Sequence, residues 1–136
     1  MKKLMSTRYS GAAFNIATLV LRLCFGILMF LNHGLPKLQK FSDMQNVFFD
    51  PFHVGHRFSL SMVIFAEVGC ALLLVLGLFS RLAAFVLFFE MMVAIFFFHK
   101  GQPVANFEIA VLHAGVYFAL LLSGPGKISI DGMSGK

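Results

Sequence analysis

Charged side chains are scarce in this sequence. Only 12% of its 136 residues are Asp, Glu, Lys or Arg, whereas 59% are hydrophobic, and the mean hydropathy is +0.86. Soluble globular domains usually carry about 25% charged residues. The composition therefore excludes an ordinary soluble domain and indicates a protein embedded in a membrane.

Several functional motifs are also absent. The two cysteines, Cys24 and Cys70, lie in different apolar runs, so the chain has no CxxC pair, haem-attachment motif or iron–sulfur motif. It has no glycine-rich dinucleotide-binding motif either. The net charge of +5 comes from Lys and Arg at the ends of apolar runs, which is typical of contact with anionic lipid and not of nucleic-acid binding.

Four long apolar segments occupy most of the chain. They cover residues 14–34, 59–79, 81–98 and 106–123, each close to the about 20 residues that cross a bilayer as a helix. Backbone groups in hydrocarbon must be satisfied within the segment, so each is predicted to be helical. The predicted fold is a single all-α membrane domain over residues 1–136, an antiparallel bundle of four transmembrane helices.

Glycine, proline and capping residues predict where the helices end. Gly34 and Pro36 are expected to terminate the first span, Gly77 the second, and Ser80 is expected to be the N-cap of the third. The connection over residues 35–58 is long enough for a short helix at the membrane interface.

The predicted interfacial helix has two sequence signals. Ser42 and Gln45 have the spacing of a capping box, and Asp50-Pro51 would stop the helix. One helical face would carry the apolar side chains Phe41, Met44, Val47 and Phe48.

The distribution of basic residues favours cytoplasmic termini. With four spans, the end that carries both termini holds six Lys or Arg residues: Lys2, Lys3, Arg8, Arg81, Lys127 and Lys136. The other end holds four, which are Lys37, Lys40, Arg57 and Lys100. By the positive-inside rule, we expect a multi-pass membrane protein with both termini in the cytoplasm.

Apart from Arg81 at the first position of the third segment, each apolar segment contains one charged residue: Arg22, Glu67, Glu90 and Glu108. A charge near the bilayer centre costs at least about 2.5 kcal/mol, so these residues should face one another, water or a ligand. Helical rise places Arg22 roughly 12 Å and Glu90 roughly 13 Å from one membrane boundary, and Glu67 roughly 12 Å from the other. Arg22 is therefore predicted to pair with Glu67 or Glu90.

One stripe of the first helix connects this charged level to its far end. At about 100° per residue, His33 points within about 20° of Arg22, with Gly26 and Met29 between them. The predicted ligand-binding or proton-handling residues are Arg22, His33, Lys37, Glu67, Glu90, Glu108 and His113, with His99 and Lys100 at an outer mouth. No metal site is predicted, because no two histidines share a ligand spacing on one helix.

Two explanations of these residues remain open from the sequence. They can be a structural network of ion pairs that fixes the helix register, or they can bind a ligand or protons. His33 can equally cap the carbonyl groups at a helix end.

The chain resembles the DoxX family of small four-helix bacterial membrane proteins. The resemblance runs over "LRLCFGILMFLNHGLPKL" at 21–38, "FFDPFHVGHRFSLSMVIFAEVGCALLLVLGLFSRLAA" at 48–84, "FHKGQP" at 98–103 and "LLSGPGKISIDG" at 121–132. The family pattern maps onto Arg22, His33, Gly34, Lys37, Glu67 and Glu108. It implies a setting in membrane redox systems and no particular catalytic residue.

Two function classes follow. The first is a redox-associated subunit that binds a quinone or another lipophilic molecule in a polar bundle interior, with a soluble or membrane oxidoreductase as partner. Quinone is the one cofactor considered, and whether the chain is itself an enzyme stays open. The second is a non-enzymatic assembly subunit or small-ligand carrier whose buried charges are structural. Either protein would sit in the lipid bilayer and could form a homo-oligomer, and neither would bind nucleic acid.

Overall fold

The computed structural model describes residues 2–135, and no β-strand occurs among them. Three long helices are continuous, although the register of their backbone hydrogen bonds changes within them. The elements are α1 Gly11–Gln39, α2 Phe41–Met44, α3 His56–Leu76, α4 Ser80–Phe98, α5 Glu108–Ser123 and α6 Ile130–Met133.

The three helices α1, α3 and α4 are long and apolar enough to cross a membrane, whereas α5 is apolar but has only 16 residues. The prediction of an all-helical chain with long apolar helices is therefore confirmed. The predicted bounds of the second, third and fourth apolar segments differ from those of α3, α4 and α5 by no more than three residues.

The four longest helices pack side by side, with α1 against α3 and α4 against α5. Small side chains at the contacts, including Ala71, Ala83 and Ala84, are buried and allow close approach of the helices. Large side chains such as Phe85 and Leu112 are exposed on the outside, where lipid would cover them. The bundle is thus apolar outside, as a membrane protein requires.

The predicted inward stripe of α1 is confirmed. Thr18, Arg22, Gly26 and Met29 are its buried residues, and His33 is half-buried. A Cβ on Gly26 would lie 2.6 Å from a Val75 methyl group and 3.2 Å from a backbone carbonyl of α3, so this glycine permits the close contact between α1 and α3.

The prediction that Gly34 and Pro36 end the first helix is wrong, because α1 continues to Gln39. Residues Phe30–Gly34 form a π-helical segment in which the Leu35 amide donates to the Phe30 carbonyl, five residues earlier. Pro36 lacks an amide hydrogen, and its ring would clash with a carbonyl of the preceding α-helical turn. The wider π turn accommodates both defects without ending the helix.

Two predicted caps are also wrong. Gln45 donates from Nε2 to the Ser42 carbonyl at 3.3 Å and does not form a capping box, although the short helix α2 is present. Ser80 does not cap α4, and its Oγ is buried without a hydrogen-bond partner. The cap comes from Asp131, whose carboxylate accepts from the Phe79 amide at 3.1 Å and the Ser80 amide at 2.9 Å.

Arg22 pairs with neither Glu67 nor Glu90, contrary to the prediction. Its guanidinium donates to the backbone carbonyls of Leu74, Val75 and Ile128. Helical side chains lean toward the N-terminus of their own helix, so Arg22 reaches toward the end of the bundle that carries both termini. There it donates to two carbonyl groups of the last turn of α3, of which that of Leu74 also accepts from the Gly77 amide.

Candidate functional site

A cavity of about 510 Å³ opens between the helices at the end opposite the termini. Most of its wall is apolar, and the lining includes aromatic and methionine side chains, among them Met29, Phe48, Phe49, Met62, Phe89 and Phe98. Pockets of a few hundred Å³ with apolar walls and a few polar groups are typical small-molecule sites.

Five predicted site residues come together at this cavity, and all five line it: His33, Lys37, Glu67, Glu90 and His113. They come from all four long helices. His99, predicted at the outer mouth, also lines the cavity. Their role in binding a ligand or protons remains a prediction.

Lys37 and Glu67 form the central charge pair of this site. Lys37 Nζ donates to the two Glu67 oxygens at 2.8 and 3.1 Å, and it also lies 3.4 Å from the His33 carbonyl oxygen. The Glu67 side chain is only 5% exposed and that of Lys37 is 21% exposed. The two side chains lean toward each other because α1 and α3 run in opposite directions.

Glu90 lies beside this pair. Both carboxyl groups line the cavity. The Glu90 Oε2 atom is buried and has no hydrogen-bond partner. Two neighbouring carboxylates repel each other, which favours a proton on one of the two.

The two histidines lie on the other side of the polar end, with ring centroids 6.1 Å apart. His113 Nδ1 lies 2.9 Å from the Ile109 carbonyl oxygen. A carbonyl can only accept, so Nδ1 carries the hydrogen, and the buried Nε2, which has no partner, is an acceptor in the neutral ring. Phe25 packs edge-on against the His113 ring at 5.0 Å.

Two π-helical segments position the site. Phe30–Gly34 in α1 contains His33, and Phe65–Cys70 in α3 contains Glu67. The two segments contact each other, and a Cβ on Gly34 would lie 2.6 Å from the Glu67 carbonyl oxygen. A π segment adds a residue to a turn and thereby changes the direction of the side chains beyond it. This change directs Lys37 into the cavity, although a regular helix would place it about 60° from the inward stripe.

The connection between α1 and α3 covers part of the cavity with aromatic rings. Phe49 packs against Phe98 with ring centroids 5.3 Å apart, and Phe52 against Phe97 at 5.6 Å. The sequence pattern did not indicate these residues as part of the site. Because the chain contains 18 phenylalanines, a Phe in a connecting segment does not by itself indicate that its ring lies at the site.

Asp50 holds this connection in place. Its carboxylate accepts from the Val54 amide at 3.0 Å, the Gly55 amide at 2.8 Å and Ser59 Oγ at 2.8 Å. Desolvation raises the pKa of Asp50, but these three hydrogen bonds and nearby His56 lower it, and the net pKa lies below its ordinary value. Asp50 was predicted only to stop a helix.

Three predicted site residues lie outside the cavity wall: Arg22, Glu108 and Lys100. Glu108 is the first residue of α5 and is exposed, so the expectation of a charge buried inside the fourth segment is wrong for it. A carboxylate is favourable in the first turn of a helix, where the amides are free. Lys100 is exposed in the connection that follows α4.

The fold and the cavity define a helical membrane protein with an apolar pocket that has one ionisable end. A family model described as DoxX matches residues 17–100, which is more than half of the chain. The chain belongs to the DoxX family of integral membrane proteins.

Two relatives cover most of the chain. A Haemophilus influenzae protein, described as an uncharacterized protein, is 36% identical over 110 residues, which are 76% of this chain and 80% of that protein. The inner membrane protein YphA of Escherichia coli is 29% identical over 130 residues, which are 89% of this chain and 92% of that protein. No solved structure gives a significant match.

Proposed function

We propose that this DoxX-family protein binds a lipophilic molecule with a polar head, a quinone first of all, in the cavity between its helices. One observation carries the proposal: a cavity with mostly apolar walls also contains a cluster of Lys, Glu and His side chains. A quinone has a matching shape, since its ring and tail are apolar and its carbonyl oxygens accept hydrogen bonds. The polar groups would fix its orientation.

The protein acts in this proposal as a subunit associated with redox chemistry. Reduction of a quinone takes up protons, and histidine and glutamate side chains at the head of the site are suitable donors. The chain has no redox motif of its own, so electrons would come from an oxidoreductase partner. A homo-oligomer is compatible with the same role.

The proposed location is the bacterial inner membrane, with four crossings and cytoplasmic termini. The name of the Escherichia coli relative supports this membrane, and the excess of Lys and Arg at the terminal end supports this orientation. The helix α5 is the fourth crossing in this arrangement, completed by the short 3₁₀ segment Val104–Asn106 that precedes it.

A cysteine-accessibility assay on Lys100→Cys and Lys127→Cys in a Cys24→Ser, Cys70→Ser background tests the orientation. The proposed arrangement requires the two introduced cysteines to be accessible from opposite sides of the membrane.

The second candidate function is an assembly subunit without a ligand. It is favoured by the charges that have partners within the protein, namely Arg22 with three carbonyl groups and Lys37 with Glu67. It predicts that Glu67→Gln lowers the folded yield without affecting any bound molecule.

Quinone binding is tested on protein purified from bacterial membranes in a mild detergent. Mass spectrometry of the extracted lipids should reveal quinone enriched over the membrane average, and added decylubiquinone should raise the unfolding temperature. Ligand at 100 times its dissociation constant stabilises a folded protein by about 2.7 kcal/mol. The proposal fails if no quinone co-purifies and none binds at millimolar concentration.

A matched pair of variants localises the binding. Ala110→Phe places a ring in the cavity wall, whereas Ala119→Phe places the same ring on the exposed face of the same helix. Loss of binding in the first variant only supports the cavity as the site. Equal binding by both variants contradicts it.

A further inference from the structure

The polar end of the cavity has one more carboxyl group than it has cations to balance. Lys37 forms its salt bridge with Glu67. Within the part of the chain that the structure describes, no cation lies within salt-bridge distance of Glu90. An isolated carboxylate in an apolar site is far costlier than a neutral carboxyl group, so such a group takes up a proton.

The geometry of the pair assigns the proton to Glu90. Both Glu67 oxygens accept from Lys37, so Glu67 has a cation beside it. Glu90 has no such cation, and its Oε2 is buried without a hydrogen-bond partner. The ionisable groups that face Glu90 from the other helices are His33 and Lys37 of α1, Glu67 and Cys70 of α3, and His113 and Tyr117 of α5.

Two of these neighbours, His113 and Tyr117, have hydrogen-bond partners other than Glu90. His113 is hydrogen-bonded through Nδ1 to a backbone carbonyl and packs against Phe25. Tyr117 donates its hydroxyl to the Phe25 carbonyl at 3.1 Å. Neither residue is within hydrogen-bonding contact of Glu90.

We propose that Glu90 holds a proton in the membrane-embedded protein and offers it, as a hydrogen-bond donor, to an acceptor oxygen on a neutral ligand head. This proposal rests on the proposed ligand site and specifies which head group the site binds. The site selects a ligand with a carbonyl-type oxygen and disfavours a ligand with a carboxylate head. A ligand carboxylate would meet the ionised Glu67 beside the donor, and Lys37 is already paired.

Infrared difference spectroscopy of the ligand-free protein tests the proton directly. A protonated carboxyl group has a carbonyl stretch at higher wavenumber than a carboxylate. We expect this band at neutral pH in the wild-type protein and in Glu108→Gln, whose substituted residue is exposed. The band should be lost in Glu90→Gln. Absence of the band from the wild-type protein, or its persistence in Glu90→Gln, overturns the proposal.

Decylubiquinone binding tests the donor. Wild-type affinity should fall as the pH rises and the infrared band disappears. Glu90→Gln retains an N–H donor and should bind with an affinity that does not follow this titration. Glu90→Met fills similar space without a donor and should weaken binding about tenfold, as expected for one hydrogen bond of about 1.4 kcal/mol.

The outcomes separate this proposal from the proposed function. If decylubiquinone fails to bind the wild-type protein, quinone binding fails, while the infrared band still decides whether Glu90 is protonated. If decylubiquinone binds and Glu90→Met binds equally well, Glu90 is not the donor. Circular dichroism and gel filtration of each variant establish that it is folded.

Discussion

Removal of the Lys37 ammonium is the most informative single change in this protein. Lys37→Met keeps most of the side-chain volume but leaves the Glu67 carboxylate, only 5% exposed, without its cation. Breaking a buried ion pair by removing one partner usually costs about 3 to 5 kcal/mol. We expect the unfolding free energy of the variant to fall by an amount in this range.

Denaturation by increasing SDS fraction in mixed micelles measures this difference, with Lys100→Met as the control. Lys100 is exposed and lies outside the cavity wall, so its replacement should change the unfolding free energy by less than about 0.5 kcal/mol. The double variant with Lys37→Met and Glu67→Gln should recover much of the loss. A loss below about 1 kcal/mol would refute the assignment of a buried ion pair.

Three further predictions concern the backbone and the connections. Gly34→Ala would bring a methyl group to within 2.6 Å of a backbone carbonyl oxygen of α3. This overpacking should lower the free energy of unfolding by about 1 to 3 kcal/mol, and thermal unfolding in detergent measures the loss. Asp131→Ala removes the side-chain cap at Ser80 and should destabilise the protein by about 1 kcal/mol in the same assay, whereas an unchanged midpoint would contradict the cap. The folded-state pKa of Asp50 is lowered, so its contribution is present above the ordinary aspartate pKa and is lost as the pH falls through the folded value. The protection factor of the Val54 amide against hydrogen exchange should fall on acidification, and Asp50→Asn should abolish that fall.

The cost of buried charge explains why the sequence alone predicted much of the site. Glu67 and Glu90 had to face inward or toward a ligand, and both line the cavity. The helical period correctly oriented Arg22 and His33. These predictions depend on local spacing along a regular helix, which one sequence reveals directly.

The pairing of the charges could not be predicted in the same way. Counting the helical rise along straight helices placed Arg22 at the same depth as the glutamates. Its side chain is long and points toward the N-terminus of α1, so its guanidinium group lies nearer the other end of the bundle. The π segment at Phe30–Gly34 has no marker in hydrophobic periodicity, so the orientation of Lys37 stayed undetermined. The cap at Ser80 comes from Asp131, 51 residues later, and a contact between such distant residues is not encoded in local spacing.

The backbone contact between Arg22 and Ile128 has a consequence for biosynthesis. The chain leaves the ribosome from its N-terminus, so α1 is made when residues 124–135 do not yet exist. Until they are made, Arg22 lacks the Ile128 carbonyl as an acceptor, and the amides at the start of α4 lack the Asp131 carboxylate. Residues 124–135, which are translated after the four long helices, therefore complete the contacts at this end of the bundle.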